Sequence, residues 1–337
     1  MVSINLNILV INVARIGDTL LTTPVLRALK AACPEGRVGC LAHPKRAEVL
    51  KGLSGLDFLG SITPKRAHWR GWFGGKPWDY AIVYGKDASL MRYASRVARK
   101  VIAFVQERDE INNLLWRAVP LPEDREHLHV VNEHLLLPAA LGIETADYRL
   151  GYTVLPGELE QASAWMRQQL PQGANRFIGF QVASFPSKSY RDWPLENFAE
   201  LGRKILADHP SAHILILGGK ESRAKATWLA GQLSGRATAV AGCFGLRGTA
   251  ALMRHLDLYV GVDTGPTHLA GALGIPMVAL YHCFHRARRL APLGHDRLCA
   301  IDHPRPDSDC NRTVPMGEIS VDRVWEEVVR MLPARRS

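Results

Sequence analysis

No run of 18 or more apolar residues occurs in this 337-residue chain, so nothing in it reads as a membrane-spanning helix. Residues 1–13 lack the positively charged start of a secretory signal and pass directly into a short apolar segment. The six cysteines, Cys33, Cys40, Cys243, Cys283, Cys299 and Cys310, include no C-x-x-C pair. Such scatter in a long chain predicts the reduced thiols of a cytoplasmic protein, not a disulfide framework or a zinc site. Fixed-period repeats and low-complexity tracts are also missing, and only the end, residues 334–337, reads as disordered. Acidic residues are in deficit: the formal net charge is +10. That excess favours an acidic partner, whether nucleic acid, anionic membrane or phosphorylated substrate, without choosing among them.

Two common nucleotide signatures are lacking as well. A dinucleotide site needs G-x-G-x-x-G after the first strand, and that turn offers only Gly17. The stretch Gly218-Gly219-Lys220-Glu221 hints at a P-loop but fails twice. Ile214 stands where the motif needs glycine, and Glu221 where Ser or Thr would hold magnesium.

What the chain does have is alternation. Residues 6–13 form an Ile- and Val-rich run of the kind that makes a buried parallel strand. After the turn at Ala14–Gly17, Leu20, Leu21, Val25, Leu26 and Leu29 recur at helical spacing, and residues 37–42 read as the next strand. Strands at 79–84 and 100–104 and helices at 89–98 and 129–141 continue the theme, with an exposed basic and aromatic loop at 64–76. A helix at 158–170 follows a boundary near residue 154. The second half restarts with strands at 177–181, 213–217, 238–241, 258–262 and 277–281. Helices fall at 195–208, 222–233, 248–256, 267–273 and 321–332. This order predicts an α/β protein of two doubly wound parallel sheets.

The strongest local signal is Gly261-Val262-Asp263-Thr264-Gly265-Pro266-Thr267-His268. Asp263 is placed to cap the helix after the strand, and Pro266 suits its first turn. The N–H groups of Thr264 and Gly265 then face the strand's carboxyl end, a position suited to a diphosphate, with His268 one turn further on. A plain capped helix with a packed histidine fits the same residues. In the first half Asp18 follows the first strand. It reads either as a helix cap or as a carboxylate able to take a proton from an acceptor hydroxyl. Between them, Lys188 and Arg191 are two cations within four residues, able to neutralise a leaving diphosphate or to serve as a solvated loop. Glu221, at the end of another strand, could accept hydrogen bonds from ribose hydroxyls or complement a helix dipole.

Taken in order, these segments resemble the lipopolysaccharide heptosyltransferases, glycosyltransferase family 9. The opening Ile8–Leu29 is similar to the family's first strand, Gly-Asp turn and helix. Val262-Asp263-Thr264-Gly265-Pro266-Thr267-His268-Leu269 matches its D-[ST]-G-x-x-H-[LI] segment. One departure stands out: the family's K-x-W-P is Arg191-Asp192-Trp193-Pro194 here. Arginine clamps phosphate differently from lysine, and Lys188 is an alternative.

The resemblance implies a GT-B fold of two Rossmann-like domains facing a central cleft. These are an acceptor domain at 1–154, a nucleotide-sugar domain at 155–320, and a final helix and tail at 321–337 that can pack back on the first domain. It implies inverting transfer of heptose from ADP-heptose to the inner core of a lipopolysaccharide precursor, with no metal and no other cofactor. Asp18 would be the base. Thr264 and Gly265 would hold the diphosphate, with Lys188 and Arg191; Asp263 and His268 would shape the turn, and Glu221 would meet the ribose. Arg15, Lys65, Arg66 and Arg70 are acceptor-contact candidates. The partners expected are the nucleotide sugar and a lipid A-core acceptor met at the inner leaflet, with no nucleic acid. The motifs leave the oligomeric state and the hydroxyl served open. Another nucleotide sugar or a non-lipid acceptor is the alternative within the class; a non-enzymatic basic protein binding nucleic acid or a membrane surface is the alternative outside it.

Overall fold

The computed structural model describes residues 5–332; the tail expected to be disordered, residues 334–337, lies outside them. The chain divides into two units, Met1–Thr153 and Val154–Ser337.

The first unit opens with β1 (Ile8–Asn12), whose five residues are all buried, then α1 (Ile16–Leu20) and α2 (Thr23–Ala32). The single helix expected after Gly17 is therefore two. Pro24 supplies no N–H for the turn before it. Hydroxyls bind the carbonyls there: Thr22 Oγ1 donates to the Asp18 carbonyl at 2.9 Å and Thr23 Oγ1 to that of Leu20 at 2.6 Å. Next come β2 (Val38–Ala42), β3 (Phe58–Ser61), α3 (Pro64–Ala67), β4 (Trp78–Val83) and α4 (Ala88–Val97). The unit closes with β5 (Ala98–Phe104), α5 (Asp109–Asn112), β6 (Arg117–Val119) and α6 (Val130–Ala139). All six strands are parallel, in the order β3-β2-β1-β4-β5-β6. Leu9, Ile11, Ala81 and Val83 pack with Met91 and Ala94 of α4 in the core on one face.

The second unit begins with α7 (Pro156–Gln169) and β7 (Arg176–Gln181), then α8 (Leu195–Asp208), β8 (Ala212–Leu217), α9 (Arg223–Gly231) and β9 (Ala237–Ala239). It continues through α10 (Leu246–Met253), β10 (Leu258–Val262), α11 (Gly265–Ala272), β11 (Met277–Tyr281), α12 (Ala287–Leu290), β12 (Leu298–Asp302) and α13 (Val321–Met331). Its six strands are also parallel, in the order β12-β11-β10-β7-β8-β9. Phe180, Trp193, Phe198, Ile214 and Val260 share one core, which also holds Val324 and Val328 of α13. The final helix lays its apolar stripe on the core of its own unit, against α8 and β11. Lys204 of α8 pairs with Asp322 of α13 at 2.7 Å.

Three strands carry no clear sequence signal: β3, β6 and β12. Each is an edge strand. None is a fully buried strand; β6 in particular is a three-residue strand with an exposed arginine. An edge needs no continuous apolar run, because only part of it is covered.

One expectation fails outright. Cys283 and Cys310 form a disulfide, with Cα atoms 5.8 Å apart and a sequence separation of 27. Only the tertiary fold brings the end of β11 beside the segment after β12, so the pairing leaves no spacing motif. Cys33, Cys40, Cys243 and Cys299 are free.

Candidate active site

In a doubly wound sheet the crevice lies where strand order reverses, outside the carboxyl ends of the two central strands. In the second unit those strands are β7 and β10, so the segments after Gln181 and Val262 flank it. Both carry the residues singled out from the sequence.

After β10 the turn differs from expectation by one position. Thr264, not Asp263, is the N-cap of α11, with extended backbone (φ −149°, ψ 174°). Asp263 points elsewhere: its Oδ2 lies 2.7 Å from Nη1 of Arg191, and its Oδ1 lies 3.7 Å from Nε2 of His268. The Arg191 and Asp263 side chains are only 15% and 3% exposed, so the pair is largely shielded from water. The turn is fixed from below. Thr267 Oγ1 donates to the Val262 carbonyl at 2.6 Å and meets the Tyr259 hydroxyl at 2.9 Å. The backbone N–H groups of Thr264 and Gly265 have no acceptor among the described residues.

After β7 the chain runs through a short helical turn, Pro186–Arg191. Asp192 organises it: Oδ1 accepts from Ser184 N and Oγ, both at 2.7 Å, and Oδ2 pairs with Lys225 at 2.8 Å. Trp193 is buried in the core and donates from Nε1 to the Ile319 carbonyl at 2.9 Å. The Arg-Asp-Trp-Pro segment therefore aims Arg191 inward by anchoring the residues on its other side.

Tyr190 then gathers cations. Lys188, Arg191 and Arg312 stand 5.9, 5.6 and 5.9 Å from its ring centre. Its hydroxyl is 2.8 Å from His285 Nε2, and the His282 ring meets it edge-on at 5.2 Å. Burial, with Arg191, Lys188, His282 and Arg312 around it, pushes the His285 pKa down to about 3. Lys188 and Arg312 have no acidic partner among the described residues. Positive charge is therefore concentrated at this end of the sheet. Tyr190, Lys225 and Arg312 also line a cavity of about 350 Å³ with Asp192, Trp193 and Met316.

Glu221 sits apart from this group. It is exposed on a short turn, Lys220–Ser222, after β8. Gly218 leads into that turn at φ +154°, where a Cβ would press on Ser222 at 2.8 Å. Among the described residues, Glu221 forms no hydrogen bond or ion pair with Arg191 or Asp263.

In the first unit the corresponding segments follow β1 and β4. Asp18 is the third residue of α1 and not its cap; Arg15 holds that position. The Asp18 side chain is exposed and makes no hydrogen bond or ion pair among the described residues. His134 of α6 is its electrostatic neighbour. Burial lowers the His134 pKa, and the Asp18 charge opposes that shift. Tyr84, after β4, lies tilted against the His134 ring at 4.7 Å and donates to the His134 carbonyl at 2.8 Å. Arg15 is exposed at the start of α1, Lys65 and Arg66 lie exposed on α3, and Arg70 extends from the following loop, donating to the Ser61 carbonyl at 3.3 Å.

The structure thus joins Arg191, Asp263 and His268 directly and Lys188 through Tyr190. Sequence reasoning did not single out Tyr190, His285, Arg312, His134 or Thr267. A signal existed for His285: the run His282–Arg289 directly follows the well-marked strand β11. Among the described residues, His282, Cys283 and Cys310 are the one group of metal-ligand types gathered closely, within 4.8 Å of one another. Here the two sulfurs are bonded to each other.

Two six-stranded, doubly wound parallel sheets are the architecture of the GT-B fold. Residues 86–319 match the model of glycosyltransferase family 9 (heptosyltransferase), and the chain belongs to that family. It is 23% identical over 295 residues to lipopolysaccharide heptosyltransferase 3 of Escherichia coli, covering 80% of this chain and 83% of that one. Its structure is similar to that of a family 9 glycosyltransferase from Veillonella parvula (TM-score 0.83, 18% identity, 98% of each chain). It is also similar to the ADP-heptose lipopolysaccharide heptosyltransferase II of E. coli (TM-score 0.76, 19% identity, 97% of this chain and 98% of that one). At such identities the likeness of structure speaks for the fold.

Proposed function

We propose that this protein transfers heptose from ADP-heptose to the inner core of a lipopolysaccharide precursor, inverting the anomeric carbon. The observation that carries the reading is the anion-receiving end of the second sheet, where Arg191 is held by Asp263 beside two unengaged backbone N–H groups. The named activities of the E. coli relatives support the choice of donor and acceptor.

In this reading Asp18 takes the proton of the acceptor hydroxyl as its oxygen attacks the anomeric carbon. The bond from that carbon to the diphosphate oxygen breaks, and ADP leaves with the electron pair. Lys188, Arg191 and the N–H groups of Thr264 and Gly265 neutralise the charge that develops there. Asp263 and His268 hold the turn and Arg191 in place. Glu221 accepts from the ribose hydroxyls, and Arg15, Lys65, Arg66 and Arg70 meet acidic groups of the acceptor. The protein groups supply all the neutralising charge, so no divalent ion is needed. The acceptor is lipid-anchored, which puts the protein at the cytoplasmic face of the inner membrane as a peripheral visitor.

The test is turnover of ADP-heptose with a delipidated core acceptor in the presence of EDTA, with the product's anomeric configuration read by NMR. Turnover with inversion supports the reading. Preference for UDP- or GDP-sugars, or loss of activity in EDTA, sinks it.

A further inference from the structure

Residues 64–76 have no place in the donor site, yet they form a built feature. Three large aromatics in this loop are exposed: Trp69 at 85%, Trp72 at 64% and Phe73 at 98%. No Asp or Glu lies between Asp57 and Asp79, while Lys65, Arg66, Arg70 and Lys76 do. The loop is also fastened. Arg96 of α4 donates to the carbonyls of Ala67 and, at 3.0 Å, of Arg70, and its guanidinium stacks on the Trp72 ring at 4.5 Å. Trp72 Nε1 donates to the His68 carbonyl at 3.1 Å. Gly71, Gly74 and Gly75 turn the chain at φ +79°, +100° and +70°. Trp72 and Arg96 are thus a base, and Trp69 and Phe73 project from it.

We propose that this loop is a membrane-docking tip, with Trp69 and Phe73 entering the headgroup region of a bilayer and the surrounding cations pairing with anionic lipid. Charge selects an acidic surface, and the rings select one with an apolar interior. Phe73 lies between Trp72, whose indole N–H is engaged by the His68 carbonyl, and Gly74, so it has no free hydrogen-bonding side chain next to it to read a base edge. An indole ring and a phenyl ring next to lysines and arginines suit the membrane interface. The proposal deepens the peripheral contact above and rests on that reading only for the choice of a bilayer as the surface.

The test is cosedimentation with vesicles of phosphatidylcholine, with and without phosphatidylglycerol, at physiological salt. The wild-type protein is expected to sediment with the anionic vesicles and to stay in solution with the neutral ones. Trp69→Ala with Phe73→Ala, and separately Lys65→Glu with Arg66→Glu, should each lower partitioning about tenfold or more. Both pairs are exposed, so thermal stability should be unchanged, which separates lost docking from lost fold. The proposal is overturned if wild-type protein ignores anionic vesicles or if the aromatic double variant binds as well as wild type. It is equally overturned if duplex DNA displaces the vesicles and its binding depends on the cations alone. These vesicles contain no sugar acceptor and the transfer assay uses a delipidated one, so failure of docking and failure of the transfer reading are separately visible.

Discussion

Arg191 Nη1 and Asp263 Oδ2 lie 2.7 Å apart, joining the segments after β7 and β10. The contact settles what each residue does for the other. Asp263 is too buried to carry an unpaired charge cheaply, and Arg191 is kept at the strand ends by that need. The arginine still has capacity to spare, because its Nε has no hydrogen-bond partner.

Replacing Arg191 with Met leaves the Asp263 carboxylate without its closest counter-charge. Removing one partner of a buried pair typically costs about 3 kcal/mol or more. Urea denaturation should show a loss of that order. Adding Asp263→Asn should recover part of it, although donor binding stays weak. If the single variant is as stable as wild type, the pair contributes nothing to the fold.

Asp18→Asn keeps the shape of the side chain and removes its basicity. The substitution is expected to lower kcat by about 100-fold or more while ADP affinity changes little, since general-base catalysis is commonly worth that factor. Isothermal titration with ADP beside steady-state kinetics separates the two effects. Retained kcat would remove Asp18 from the chemistry.

Stability should fall between about pH 7 and pH 5. Burial holds the pKa values of His134, His213, His282 and His285 below the ordinary histidine value. These rings stay neutral in the native state and take up protons on unfolding, once pH drops below about 6.5. The unfolded state then binds more protons, so acid favours it. Paired carboxylates act in a separate, lower window: Asp147, hydrogen-bonded by Arg149, is held down to about 2. Melting temperatures across this range test the point, and a flat profile from pH 7 to pH 5 would contradict it.

Breaking the Cys283–Cys310 bond should cost stability. Releasing a cross-link that spans 27 residues is worth at most about 3–4 kcal/mol by chain entropy. Arg312, two residues from Cys310, should also lose its position at Tyr190, weakening ADP binding. Denaturation midpoints with and without reductant, and for Cys283→Ala/Cys310→Ala, measure both effects. Identical midpoints would mean the cross-link does not constrain this segment.

The sequence marked the central strands well because they are buried on both faces: residues 258–262 and 277–281 are β10 and β11 residue for residue. It missed β3, β6 and β12, whose partial burial leaves no continuous apolar run. It placed the strand-to-helix turn after β10 correctly in the chain but made Asp263 the cap. From sequence, an aspartate before a helix looks the same whether it binds the helix N–H groups or an arginine 72 residues away. Lys188 and Arg191 were visible as cations, but their convergence on Tyr190 with Arg312 depends on segments that meet only in three dimensions. The disulfide was missed for the same reason.

That separation has a kinetic consequence. Arg191 and Asp263 meet only after β7 has paired with β10, and the chain between them must first be laid down as α8, β8, α9, β9 and α10. Contacts so distant in sequence form late, after the entropy of closing the intervening loop has been lost. A refolding intermediate holding only β7 to β9 would show helix and strand by circular dichroism and yet bind no nucleotide. Recovery of ADP binding during refolding therefore times the last step of assembly of the second unit, and it should lag the return of secondary structure.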